Sequence, residues 1–86
     1  MSERSRLIWR CRRGIREMDI LLLDYLENHY DYASTEEQNI FEELLEETDL
    51  DILSWIMERT SPDEKYIKLI TFIRESATNS KSTSRN

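Results

Sequence analysis

One glycine and one proline in 86 residues constrain this chain more than any other feature. Hairpins need turn residues and strands need alternating β-branched runs. The sequence supplies neither, while helix start signals recur along it. The expected fold class is therefore all-α, a compact bundle of about five short helices. A chain of 86 residues makes one domain at most, and at this size only about 60% of the unfolded surface is buried on folding.

Hydrophobic spacing and caps divide the chain. A short helix from Ser5 to about Arg12, with Leu7, Ile8 and Cys11 inward, is expected to end at the lone glycine, Gly14. From Glu17 to His29, Met18, Leu21, Leu22, Tyr25 and Leu26 form one apolar stripe, with Glu17 and Asp19 at the end where the helix dipole favours acids. Tyr30 to Ala33 connect it to a third helix, which Ser34 and Glu37 open with a capping box and which carries Ile40, Phe41, Leu44 and Leu45. Thr48 and Asp51 repeat that pattern before an almost wholly apolar helix, Leu50 to Met57, expected in the core. Ser61 as N-cap, Pro62 at the first helical position and Glu64 announce the last helix, expected to end near Arg74 or Glu75. Residues 1–75 are thus read as one helical domain and 76–86, with no apolar anchor, as a disordered tail.

The net charge of −6 conceals a division. Residues 1–16 hold six arginines and one acid, whereas residues 17–86 hold six basic and seventeen acidic groups. A basic arm can bind nucleic acid, but the acidic body repels phosphate backbones, so a protein partner of mixed charge fits better. No apolar run approaches the roughly 20 residues of a membrane span and the start lacks a secretory h-region, so no membrane insertion and a cytoplasmic location are expected. Cys11 has no second cysteine to pair with and no ligand set for zinc, and is read as a small buried hydrophobe.

Chemistry is sparse. His29, the one histidine, sits where a helix C-terminus welcomes a partly protonated ring, and lacks the pocket and orienting partner of a general base. Glu42, Glu43, Glu46, Glu47, Asp49 and Asp51 lack the spacing of a calcium loop and read as a solvated face. No phosphate-binding or nucleophile motif is present, so neither a catalytic nor a metal site is expected, and the chain is read as not an enzyme. Trp9 and Trp55 are both assigned to the core. Around Gly14, however, Arg13, Arg16, Glu17 and Asp19 crowd alternating charges about a bend. Glycine there serves either as a helix cap or as a point of close approach for a partner.

The run from Arg13 through Gly14, Ile15, Arg16, Glu17 and Met18 to Asp19, followed by Phe41 to Glu46, Asp49 to Asp51, Trp55 and Pro62, resembles the succinate dehydrogenase flavinylation factors. This is the FAD assembly factor family, called SdhE in bacteria, and the likeness runs from about Leu7 to Ile73. The resemblance implies a five-helix assembly factor, or chaperone, that binds the flavoprotein subunit of succinate dehydrogenase or fumarate reductase. It further implies promotion of covalent FAD attachment to a histidine of that subunit, with no cofactor held stably by the factor itself. The partner-binding residues it implies are Arg13, Gly14, Arg16, Glu17 and Asp19, with Glu27 and Tyr30 nearby. The free chain is expected to be monomeric. The alternative from another class is a small nucleic-acid-binding or antitoxin-type regulator using the arginine-rich segment, and a third reading is a flavin carrier with its own FAD site.

Overall fold

The spacing of apolar residues becomes five helices in a computed structural model that describes residues 3–84, with side chains over 4–76. In chain order they are α1 (Glu3–Cys11), α2 (Arg16–Asn28), α3 (Thr35–Leu44), α4 (Asp49–Ile56) and α5 (Glu64–Ser84), with a single 3-10 turn, Tyr30–Tyr32, after α2. No strand occurs among the described residues. The central helix α2 buries Met18, Leu22, Tyr25 and Leu26, the i, i+4, i+7, i+8 stripe of its sequence. It packs on α1 and α5, and α5 in turn packs on α3 and α4. One core results, in which Tyr25 meets Phe41 at 4.7 Å between ring centres and Trp55 meets Tyr66 at 5.5 Å.

The start signals differ in how they are used. Ser34 closes a full capping box, its hydroxyl accepting from the Glu37 amide at 3.1 Å while the Glu37 carboxylate accepts from the Ser34 amide at 3.3 Å. Thr48 makes one half of the same device, accepting from the Asp51 amide at 3.2 Å. The third signal is displaced: α5 begins at Glu64, with the Asp63 carbonyl accepting from the Tyr66 amide at 2.8 Å, and Ser61 and Pro62 stay in the connection. Asp63, directly before α5, is as favoured a cap type as serine. At its far end α5 is continuous to Ser84, past the end expected near Arg74 or Glu75. No glycine or proline follows Pro62 to stop it. Apart from Ser76 and this helical backbone, the tail expected over 76–86 lies outside the described residues.

Two core assignments are corrected. Trp9 is 75% exposed, whereas Trp55 is 7% exposed. The nine-residue α1 has room for one narrow buried face, filled by Leu7 and Cys11 at i and i+4, and Trp9 stands about 200° around the helix from Leu7. In α4 only the stripe Ile52, Trp55 and Ile56 is buried, and Leu50 and Met57 face solvent. An apolar composition does not give a short helix two buried sides when neighbours cover only one.

The end of α4 carries a device with no glycine to signal it. Glu58 adopts φ +62°, its amide donates to the Trp55 carbonyl and that of Arg59 to the Ser54 carbonyl, at 3.2 and 2.8 Å. These are the paired bonds of a Schellman C-terminus. A carboxylate side chain occupies the left-handed position, and it pairs with Arg74 at 2.8 Å.

Candidate protein-binding surface

Gly14 has φ +92°, a backbone region that L side chains enter at a cost. A Cβ added there would meet no atom within 4 Å, so the position requires glycine for its backbone and not for want of room. It is also not the first residue beyond α1, since Arg12 and Arg13 intervene; it forms the bend into α2, whose N-cap is Ile15. No side chain at Ile15 caps that helix. Instead the carboxylate of Asp19, on the first turn, reaches back over the helix start. One oxygen accepts from the Arg13 amide at 2.9 Å and the other from the Gly14 amide at 3.1 Å. The acid fixes the bend.

Arg13 is turned inward, its side chain 15% exposed. Its guanidinium donates to the carbonyls of Arg10, Leu45 and Glu47 at 3.3, 2.9 and 2.6 Å and pairs with Asp49 through Nε. Leu45 and Glu47 lie at and beyond the C-terminus of α3, where carbonyls lack helical partners, and Asp49 opens α4. One arginine therefore ties the end of α1, the end of α3 and the start of α4. Its planar fork suits that work in a way a lysine ammonium does not.

The residues singled out in the sequence fall into three groups. Arg13, Gly14 and Asp19 are joined by hydrogen bonds into the bend. Arg16 and Glu17, on the first turn of α2, are exposed beside it. Glu27 is exposed ten residues further along the same helix, about 15 Å from Glu17 by helix rise. Tyr30 is 9% exposed and donates its hydroxyl to Glu42 at 2.5 Å. The structure does not bring Glu27 and Tyr30 to the bend; they share with it only the length of α2.

The acidic run does more than face solvent. Glu43 pairs with Lys65 at 3.0 Å, Glu46 with Arg10 and Asp49 with Arg13, while Glu47 accepts from the Tyr66 hydroxyl at 2.9 Å. Among the described residues no group of His, Cys, Asp and Glu is arranged to hold a metal ion. Cys11 is fully buried, and burial pushes its thiol up to about 11 against the pull of Arg13 and Arg10. His29 lines a cavity of about 310 Å³ with Tyr25, Tyr32, Lys68 and Phe72, at the opposite end of α2 from Gly14. Its Nε2 lies 3.3 Å from the Ser76 hydroxyl and its ring meets Phe72 edge-on at 4.8 Å. A cavity is therefore present where the sequence reading expected none, and Glu37 is in its lining, but the contacts of the His29 ring are a hydroxyl and aromatic rings, the surroundings of a packed histidine. Trp9 is a surface residue that reading by composition misses; its place opposite Leu7 and Cys11 on a helical wheel is the signal that finds it.

Residues 5–77, which contain the bend, its anchors and every helix start but the first, match a family model described as flavinator of succinate dehydrogenase (Sdh5). The chain belongs to this family. Among its curated relatives, a FAD assembly factor SdhE of Legionella pneumophila (strain Paris) is 35% identical over 72 residues, covering 84% of this chain and 91% of the relative. One from Yersinia pseudotuberculosis (serotype I, strain IP32953) is 36% identical over 74 residues, covering 81% and 84%. Another from Pectobacterium atrosepticum (strain SCRI 1043) is 34% identical over 68 residues, covering 79% and 77%. The Sdh5 family thus agrees with the resemblance seen in the sequence, and no helix among the described residues is long and apolar enough to cross a membrane.

Proposed function

We propose that this chain is a non-catalytic assembly factor that binds the flavoprotein subunit of succinate dehydrogenase and promotes covalent attachment of FAD to it, with the fumarate reductase flavoprotein as a second client. The observation that carries this reading is membership of the Sdh5 family over residues 5–77. The geometry supports it with a surface suited to contact rather than to chemistry: a glycine bend held by Asp19, with Arg16 and Glu17 exposed beside it. Site of action and oligomeric state follow the same reading, a monomer in the cytoplasm.

The chemistry belongs to the flavin and the subunit that receives it. The factor's task is positional. By binding more tightly to the conformation in which the acceptor histidine faces the flavin ring, it raises that conformation's population by no more than its differential affinity allows. Gly14 lets the partner's backbone approach. Arg16 offers forked donors to carboxylates or carbonyls and Glu17 accepts from partner donors, while Arg13 and Asp19 hold the bend in shape.

The test is reconstitution of the apo flavoprotein subunit with FAD, with and without this chain, read as covalent flavin fluorescence on a denaturing gel. The chain should raise the signal, and Gly14→Arg, whose side chain has open space but whose left-handed backbone costs about 1–2 kcal/mol, should remain folded by thermal unfolding and fail to raise it. A signal independent of the chain, or undiminished with Gly14→Arg, overturns the reading.

A further inference from the structure

The six arginines of residues 1–16 divide into two sets. Arg4, Arg10 and Arg13 are matched within the molecule by Asp31, Glu46 and Asp49. Arg6, Arg12 and Arg16 are exposed and form no ion pair among the described residues. Two of these three flank the exposed tryptophan. Arg6 and Trp9 of α1 and Arg12, the first residue beyond it, stand at i, i+3 and i+6, on the side away from buried Leu7 and Cys11, and the Arg12 amide donates to the Trp9 carbonyl at 3.2 Å, which continues the helical turn to Arg12. Beside them a shallow depression runs from Trp9 and Arg12 to Leu45 and Asp49, and Leu50, the next residue, is 78% exposed.

From this we infer that the outer face of α1 is a docking surface for an acidic patch of the flavoprotein partner, in which Trp9 enters an apolar socket and Arg6 and Arg12 meet carboxylates on its rim. The inference rests on the functional reading above and extends the contact surface from the Gly14 bend onto α1. Three observations carry it. The fold makes no use of Trp9, since α1 is buried through other residues. Tryptophan and arginine are the side chains through which protein interfaces gain most of their affinity. Finally, Arg6 and Arg12 are positive charges left unmatched among the described residues, the complement of carboxylates confined to a local patch, whereas the rest of the chain has an acidic excess: residues 17–58 contain fourteen acids and no lysine or arginine. That same excess disfavours a polyanion, which would have to lie close to the acidic body.

The experiment compares affinities of the parent, Trp9→Ala, Trp9→Phe and Arg12→Glu for the apo flavoprotein subunit by calorimetry, with thermal unfolding of each free variant as a control. Alongside, the chain labelled with 5-fluorotryptophan is observed by fluorine NMR alone and in the complex. Trp9→Ala should unfold at the parent's temperature and bind about 30-fold more weakly, the order of a hot-spot truncation. Trp9→Phe should recover part of the loss, and Arg12→Glu should weaken binding and flatten its salt dependence. The Trp9 fluorine signal should lose its solvent isotope shift in the complex. If Trp9→Ala binds as the parent does, and the isotope shift persists in the complex, this surface is wrong while the functional reading stands. Failure of the parent itself to bind overturns that reading and this surface with it. Salt-sensitive binding of a thymidine 20-mer that is lost in Trp9→Ala would assign the face to nucleic acid and overturn the proposal.

Discussion

Asp19 is the residue on which the exposed bend depends. Its two carboxylate oxygens are the acceptors for two successive amides at a point where Gly14 already holds a left-handed conformation. Hydrogen bonds to a charged group contribute roughly 1.5–3 kcal/mol each at most, and part of that is recovered from water when the site is as exposed as Gly14. Asp19→Ala is expected to lower the unfolding free energy by about 1–3 kcal/mol, measured by urea denaturation, and to raise hydrogen exchange at the Arg13 and Gly14 amides above that of the parent. Unchanged exchange at both would show that the carboxylate does not hold the bend. The need for glycine was legible in the sequence because a lone glycine in a charged run fits a cap or a bend and little else. The role of Arg13 was not. Leu45, Glu47 and Asp49, which its guanidinium reaches, lie more than thirty residues away, and its bonds to Arg10, Leu45 and Glu47 are to backbone carbonyls, which no sequence pattern advertises.

At the level of elements, the helices were legible wherever a periodic stripe and a cap coincided. Met18 to Leu26 and the Ser34 box gave α2 and α3 to within a residue. Boundaries went astray where two signals competed, as where Asp63 and not Ser61 precedes α5, and where a stop signal was absent, as at the C-terminus of α5, whereas α4 ends within a residue of its expected end although its left-handed residue is Glu58. The face of a short helix was harder to read, because nine residues offer little more than two turns and Trp9 could be placed inward on composition alone. For α5 the packing argument stops early: among the described side chains Ile73 is its last buried apolar one, Ser76 touches His29, and the sequence after residue 76 has no apolar residue larger than Ala77. Removal of residues 77–86 is therefore expected to change the unfolding free energy by no more than about 0.5 kcal/mol, as for surface changes remote from the core, with thermal unfolding as the measurement. A loss of several degrees would show that the C-terminal turns of α5 contribute to the fold.

For the whole molecule, three groups titrate in the same sense. Burial raises Cys11 to about 11 from 9.0, and burial together with Glu37 or Glu47 raises Tyr25 and Tyr66 above 10.0. Each is held protonated in the fold to a higher pH than in the unfolded chain, so the unfolded chain releases its proton first. Their contribution is complete below about pH 9 and is lost as pH rises through the folded values. The urea midpoint should hold steady from about pH 7 to 8.5 and fall between about 9 and 11, less steeply in Cys11→Ala; a flat midpoint through pH 11 would contradict the burial of these groups. The division of charge along the sequence was legible at this scale, but not that half of the arginines in residues 1–16 are consumed internally. That matching ties the basic segment to the acidic body through Arg4, Arg10 and Arg13, and with it the bend they flank. The entropy of ordering that bend is therefore lost when the chain folds, not when a partner arrives. Docking by such a preorganised edge proceeds as near-rigid association, its rate set by orientation and long-range attraction, and loosening the anchor would slow capture even where every contacting side chain is intact.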